Sequence, residues 1–239
     1  MNILKLSCGL LLLLIVGVVF LLGYFGFIPG LSSLLGTDKP KDLGIKYTQM
    51  DYESALEKGG GELKKLPTTS TESILYEGSH KVKEKFTTQE LTALAQEKEE
   101  WVDYPLENLQ IRINDDDTCE IAGIIKLTKI QNLVSTMGIS DADYKKALEK
   151  VNIPLKDVPF YAKGLGTAKN NTFDVSLTNF EVGRFPVPKS ILDKYQGHVA
   201  KLGTVVVNSI PGANIKEARF ENNSIYFEGS IPSIEYTKR

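Results

Sequence analysis

The order of apolar and polar positions divides the chain into three kinds of segment. From Leu10 to Ile28 the run LLLLLIVGVVFLLGYFGFI carries no charged residue, and about 20 such residues cover the hydrocarbon core of a bilayer. Pro29-Gly30 ends it. Three later segments place a hydroxyl residue three positions before an acid: Thr48 and Asp51, Thr87 and Glu90, Ser140 and Asp143. Each follows an apolar residue (Tyr47, Phe86, Ile139), giving the capping-box and staple spacing that opens a helix. Apolar stripes through Ala55-Leu56, Leu94-Ala95 and Ala147-Leu148 continue these helices. Gly59-Gly60-Gly61 closes the first. Because the three segments are unequally spaced, they predict a recurring local unit, not a solenoid.

Elsewhere the period is two. Leu109, Ile111 and Ile113 alternate with Gln110, Arg112 and Asn114, and after Asp115-Asp116-Asp117 the alternation resumes at Cys119, Ile121, Gly123, Ile125 and Leu127. This predicts a hairpin with one buried face. A second is expected from Phe160 through Lys169-Asn170-Asn171 to Leu177, and a third from Ala218 through Glu221-Asn222-Asn223 to Ile231. Ile74 to Val82 predicts one further strand. Between the second and third hairpins, Leu192, Tyr195, Val199, Leu202, Val206 and Ile210 recur at intervals of three and four, so a long helix starts at Pro186-Val187-Pro188 and stops at Pro211-Gly212. Gly203-Thr204-Val205-Val206-Val207 are poor helix formers, so packing against the hairpins must hold this helix.

The expected class is α+β: an N-terminal transmembrane helix, then antiparallel β-hairpins forming a curved sheet packed around a long C-terminal helix, with short capped helices. In this reading residues 1–9 are a cytoplasmic N-terminus, 10–28 the anchor, 29–46 a linker, and 47–239 an extracytoplasmic domain with a sub-boundary near 99–106. Lys5 and the free amino terminus precede the apolar run, while the first later cations, Lys39 and Lys41, come only after about ten residues, which orients the chain N-terminus in. The run is longer than the roughly 7–15 apolar residues of a signal peptide and no Ala-x-Ala-like site follows it, which favours an anchor in the cell membrane over a cleaved leader. Cys8 precedes the apolar core instead of following it, so it reads as an anchor residue.

The chemistry-bearing residues are few. A formal charge of −2 with no polybasic face gives no electrostatic footprint for nucleic acid. Asn114 to Thr118 lacks the alternate ligands, central glycine and distant glutamate of a calcium loop and reads as a solvated turn. With only His80 and His198 present, a histidine-rich metal site is excluded. His198, Ser190 and Asp193 crowd one helix without a nucleophile elbow, so no catalytic residue, metal or cofactor is expected and the protein reads as a non-enzyme. Cys119, in phase with Ile121, reads as a small buried hydrophobe. Asn170-Asn171-Thr172 and Asn222-Asn223-Ser224 match glycosylation acceptors, but turn chemistry alone explains them.

The stretch Phe160 to Ile234 resembles bacterial membrane-anchored extracytoplasmic proteins of the tubular lipid-binding (TULIP-like) type, including the lipomannan-elongation family. The resemblance rests on Phe180-Glu181-Val182-Gly183, Pro186-Val187-Pro188 and Ile225-Tyr226-Phe227-Glu228-Gly229, together with Phe86-Thr87-Thr88-Gln89-Glu90-Leu91. It implies acyl chains held between a long helix and a curved sheet, with Leu192, Tyr195, Val199, Leu202 and Val206 against the ligand. The function expected is a membrane-tethered module that binds a lipid or other apolar ligand. The alternative is a cell-envelope scaffold that contacts another envelope protein and has no cavity.

Overall fold

A computed structural model describes residues 16–25, 28–102, 104–127, 129 and 157–238. The helix expected from Ser140 and the residues Lys5 and Cys8 lie outside them. Of the apolar run at 10–28, residues 16–24 are helical (α1). Among the described residues, no helix is long and apolar enough to cross a membrane.

Capping chemistry sets the short helices. α2 (Pro29–Leu34) opens on proline, whose fixed φ suits a first helical turn. α3 (Gln49–Gly59) and α4 (Thr88–Glu97) both begin with a complete capping box, from Thr48 with Asp51 and from Thr87 with Glu90. Gly60, at φ 69°, ends α3 in the left-handed conformation that glycine adopts without a Cβ clash.

The strands are β1 (Glu62–Lys65), β2 (Ile74–Glu77), β3 (His80–Thr87), β4 (Leu106–Ile113), β5 (Cys119–Ile125), β6 (Val158–Lys169), β7 (Thr172–Val182), β8 (Phe185–Pro186), β9 (Asn214–Glu221), β10 (Ser224–Ile231) and β11 (Ile234–Thr237). All three expected hairpins are present, as β4 with β5, β6 with β7, and β9 with β10. Asn170 and Asn171, like Asn222 and Asn223, all have φ between 48° and 60°, the pairwise positive φ of a two-residue hairpin turn. The single strand expected over Ile74 to Val82 is instead two, β2 and β3, because Gly78 turns the chain at φ 67°. The sequence pattern gave no sign of β1 and β11, which pair in parallel and join β2 in a three-stranded sheet.

The main sheet is a curved antiparallel half-barrel of eight strands. Its curvature has a local cause in β6. One edge of β6 pairs with β7 along its length, while the other edge is shared: β5 takes residues 158–164 and β9 takes 167–169. The sheet therefore forks at Leu165 and Gly166. Register shifts at Lys163/Gly164, Glu107/Gln110 and Glu228/Gly229 add bulges, which increase twist and bend the strands that carry them.

The long helix, α5 (Lys189–Ser209), packs on β7. Gln196 accepts a hydrogen bond from the Leu177 amide at 3.4 Å, and at the far end Asn171 Nδ2 donates to Asn208 Oδ1 at 2.9 Å. On the other face of the sheet, residues 37–46 dock against β4 to β6. Leu43 is buried with Ala122 and Tyr161. Its amide donates to Gln110 at 2.8 Å and its carbonyl accepts from Arg112 at 3.1 Å. The face formed by β3, β10 and β9 carries a ladder of ion pairs, Lys85 with Glu221, Lys216 with Glu228, and Arg219 with both Glu217 and Glu221. Such exposed pairs contribute ~0–1 kcal/mol each; their main effect is to keep that face polar.

Candidate functional site: an apolar cleft under the long helix

Strand pairing places small residues in a patch on the helix-facing side of the sheet. Ala162 pairs with Ile121, Gly164 with Cys119, and Ala168 with Ala218. Side chains alternate faces along a strand, so Ala162, Gly164, Gly166 and Ala168 of β6 leave a floor almost without side chains. Around it stand Phe160, Phe173, Phe180 and Phe220, with Leu106, Leu109, Ile121 and Ile125 from the β4–β5 hairpin, while Val199 and Leu202 of α5 close the top.

The space between them is an open cleft of about 610 Å³, within the ~300–1,000 Å³ range of small-molecule sites. Its lining is apolar apart from Thr167 and the strand residues Lys163 and Arg219. Gly166 has a second function here. A Cβ at that position would lie 3.2 Å from the Phe220 ring, so glycine lets the aromatic wall settle onto the floor.

A second cavity of about 390 Å³ lies among α3, β3, β10 and the C-terminal end of α5, lined by Leu56, Phe86, Leu94, Val207, Ile210 and Phe227 among others. Its rim holds the polar groups Tyr76, Lys98 and Glu235. Burial, with the Glu235 charge adding to it, pushes the Tyr76 phenol up to about 12.

The five α5 residues expected at the ligand have different environments. Val199 and Leu202 line the larger cleft. Leu192 is buried, Val206 is half-buried away from both cavities, and Tyr195 faces outward. Helical spacing identified the apolar stripe but could not separate the part that touches the sheet from the part that does not. The sheet side of the cleft was missed. Its signal was present in the alternate small residues of β6, which a strand with an ordinarily packed face would not carry.

Cys119 lies in the cleft wall, buried, and is a free thiol. Burial first, and the neighbouring Glu120 carboxylate second, push its pKa up to about 12, so it is held as the neutral thiol. Behind it on the opposite face, Glu120 is 5% exposed. It accepts hydrogen bonds from Arg112 at 2.8 Å, Asn114 at 3.0 Å and Tyr161 at 2.8 Å. Burial alone would raise this carboxyl, but those three donors outweigh it and hold the group below the ordinary value. The quartet faces away from the cleft and locks β4, β5 and β6 together.

The candidate chemistry weighed on α5 does not assemble. Asp193 pairs with Lys189 at 2.9 Å and the His198 ring lies 5.6 Å from Tyr195. His80 sits between the Gly59 carbonyl at 2.5 Å and the Ser233 hydroxyl at 3.3 Å. The Asp115–Asp117 turn is closed by Asp116, which accepts from the Thr118 amide and hydroxyl. Among the described residues, no group of three His, Cys, Asp or Glu side chains could hold a metal ion.

No protein-family model, no curated protein and no solved structure matches this chain.

Proposed function

We propose that this protein is a membrane-tethered, non-catalytic module that holds the acyl portion of a lipid, or a similar apolar chain, in the cleft between α5 and the sheet. The observation that carries the reading is the cleft of about 610 Å³ whose floor is Ala162, Gly164, Gly166 and Ala168. Apolar side chains large enough to fill that space are absent from the floor positions, and close packing is the norm in protein interiors. A ligand of matching chemistry would complete the core.

The tether is supported separately. Helix 16–24 exposes Val16, Val18, Val19, Phe20, Leu21 and Leu22 around its circumference, a surface that water disfavours and a bilayer accommodates. Placement of the domain outside the cytoplasm is supported by the closeness of Lys5 to the start of the run at 10–28, since the first cations after it, Lys39 and Lys41, come only about ten residues on.

The test is a titration of the full chain, in mild detergent after lipid removal, with a fluorescent fatty acid. Saturable binding that falls at least tenfold in Ala162→Leu and in Leu202→Glu, both still folded by circular dichroism, would support the reading. Absence of saturable binding by fatty acid and by phospholipid would leave the scaffold reading in its place.

A further inference from the structure

The cleft and the packing on β7 use only part of α5. An exposed apolar stripe runs along the helix at intervals of three and four: Ile191, Tyr195, Val199, Leu202 and Val205, each between 42% and 49% exposed, with only Val199 and Leu202 also reaching the cleft. A stripe this long on a helix that already buries another face in the domain is an unpartnered surface of the kind that marks an interface.

We infer that this stripe rests on the surface of an anionic lipid bilayer. Two observations choose that occupant over a protein. The first is charge: Lys194 and Lys201 are exposed beside the stripe, and the nearby acid Asp193 is paired with Lys189. An apolar stripe bordered by lysines on its solvent side suits a helix lying in the headgroup region, although the chain as a whole is formally −2. The second is continuity with the apolar run at 10–28. The Phe25 ring meets the Phe185 ring edge to face at 5.4 Å, and Phe185 stands only a few residues before the start of α5.

The connection from that run is short and fixed. The Gly23 carbonyl accepts hydrogen bonds from the Ser32 and Thr37 hydroxyls, both at 2.9 Å. Residues 37–46 then dock on the sheet through Leu43. These contacts keep residues 32–37 against the run and Leu43 against the sheet, so the domain sits close to the end of the run. The inference therefore rests on the reading of 10–28 as a membrane anchor.

Docking has a consequence for the cleft. Val199 and Leu202 line it and also belong to the exposed stripe, so its mouth would open at the bilayer surface. An acyl chain could pass between membrane and cleft without crossing water.

The experiment uses the full chain reconstituted into vesicles of phosphatidylglycerol and phosphatidylcholine, with and without bromine on the acyl chains. Tyr195→Trp adds an emitter to the stripe, and the one native tryptophan, Trp101, is buried and serves as the background. Bromine should quench the added emission by about twofold or more, as expected for a side chain in the headgroup and upper acyl region. The quenching should persist when Ala162→Leu fills the cleft, and should weaken when Lys194→Glu and Lys201→Glu are introduced together.

An added emission that bromine leaves unchanged overturns the inference, whether the stripe is then bare or covered by a second copy of the chain. Quenching that disappears with Ala162→Leu also overturns it, since the bromines would then reach the emitter only from inside the cleft. Lipid uptake measured on the same samples tells this failure from failure of the ligand reading: uptake without quenching removes the docking alone, whereas quenching without uptake leaves the docking in place.

Discussion

Gly203 of α5 lies directly over the ring of Phe173 on β7, where a Cβ would come within 3.1 Å of the ring. This contact sets how closely the helix approaches the sheet beside the cleft, whose wall includes Phe173. Gly203→Ala gains helix propensity of ~1 kcal/mol against a contact that needs a shift of a few tenths of an ångström, so its stability should be close to the parent's. Gly203→Leu cannot be accommodated that way and should destabilise the protein by ~1–3 kcal/mol through overpacking. Urea unfolding followed by circular dichroism checks both.

Acid should weaken the domain through two carboxylates. Glu90 is buried, 2.7 Å from the Lys58 ammonium, and accepts from Ser54 at 2.6 Å and from the Thr87 amide at 2.8 Å. Burial alone would raise its pKa; Lys58, Ser54 and Thr87 more than offset this and lower it below 4.5. Glu120 is lowered by its own donors in the same sense. A carboxyl with a depressed folded pKa contributes stability that is complete above its unfolded value and is lost as pH falls through the folded one. The loss should thus begin near pH 4.5 and deepen below it. Urea midpoints from pH 3 to 7 should show Glu90→Gln and Glu120→Gln less stable than the parent at pH 7, by ~1–3 kcal/mol each, with the gap narrowing as pH falls below 4.5.

The Cys119 thiol should be slow to alkylate. With its pKa at about 12, the thiolate fraction at pH 8 is about one in ten thousand, and the thiolate is the nucleophile. Iodoacetamide at pH 8, read as the mass of the peptide containing Cys119, should leave it unmodified in the folded chain and modify it fully in urea. Rapid labelling of the folded protein would contradict the assigned burial.

The two asparagines of the β6–β7 turn should differ in their importance. Asn171 Oδ1 accepts from the Ile215 amide at 2.6 Å while its Nδ2 donates to Asn208, so this one side chain joins the turn to β9 and to the end of α5. Asn171→Gly keeps the positive φ of 60° but loses both bonds, and should cost about 1–3 kcal/mol. Asn170→Gly, by comparison, should be nearly neutral. Thermal melts of the two variants provide the comparison.

Local chemistry explains which elements could be read from the sequence. The Thr48 and Thr87 capping boxes, the paired asparagine turns and the Pro188 start of α5 depend on residues within a few positions of one another, and each appears in the structure. The parallel pairing of β1 with β11 joins segments about 170 residues apart, and no local pattern encodes it. The same holds for the forked edge of β6, which depends on where β9 returns. Within the site, the stripe on α5 was readable because amphipathicity is periodic. The cleft was not, because a row of Ala and Gly announces missing volume only when the facing layer is known.

The most direct test of the central claim is native mass spectrometry of the full chain extracted from membranes in mild detergent, paired with lipid extraction of the same sample. The account predicts a population carrying one bound lipid, sharply reduced in Ala162→Leu while that variant keeps its fold. A mass equal to the bare chain, with no lipid taken up on incubation with a membrane extract, would contradict it.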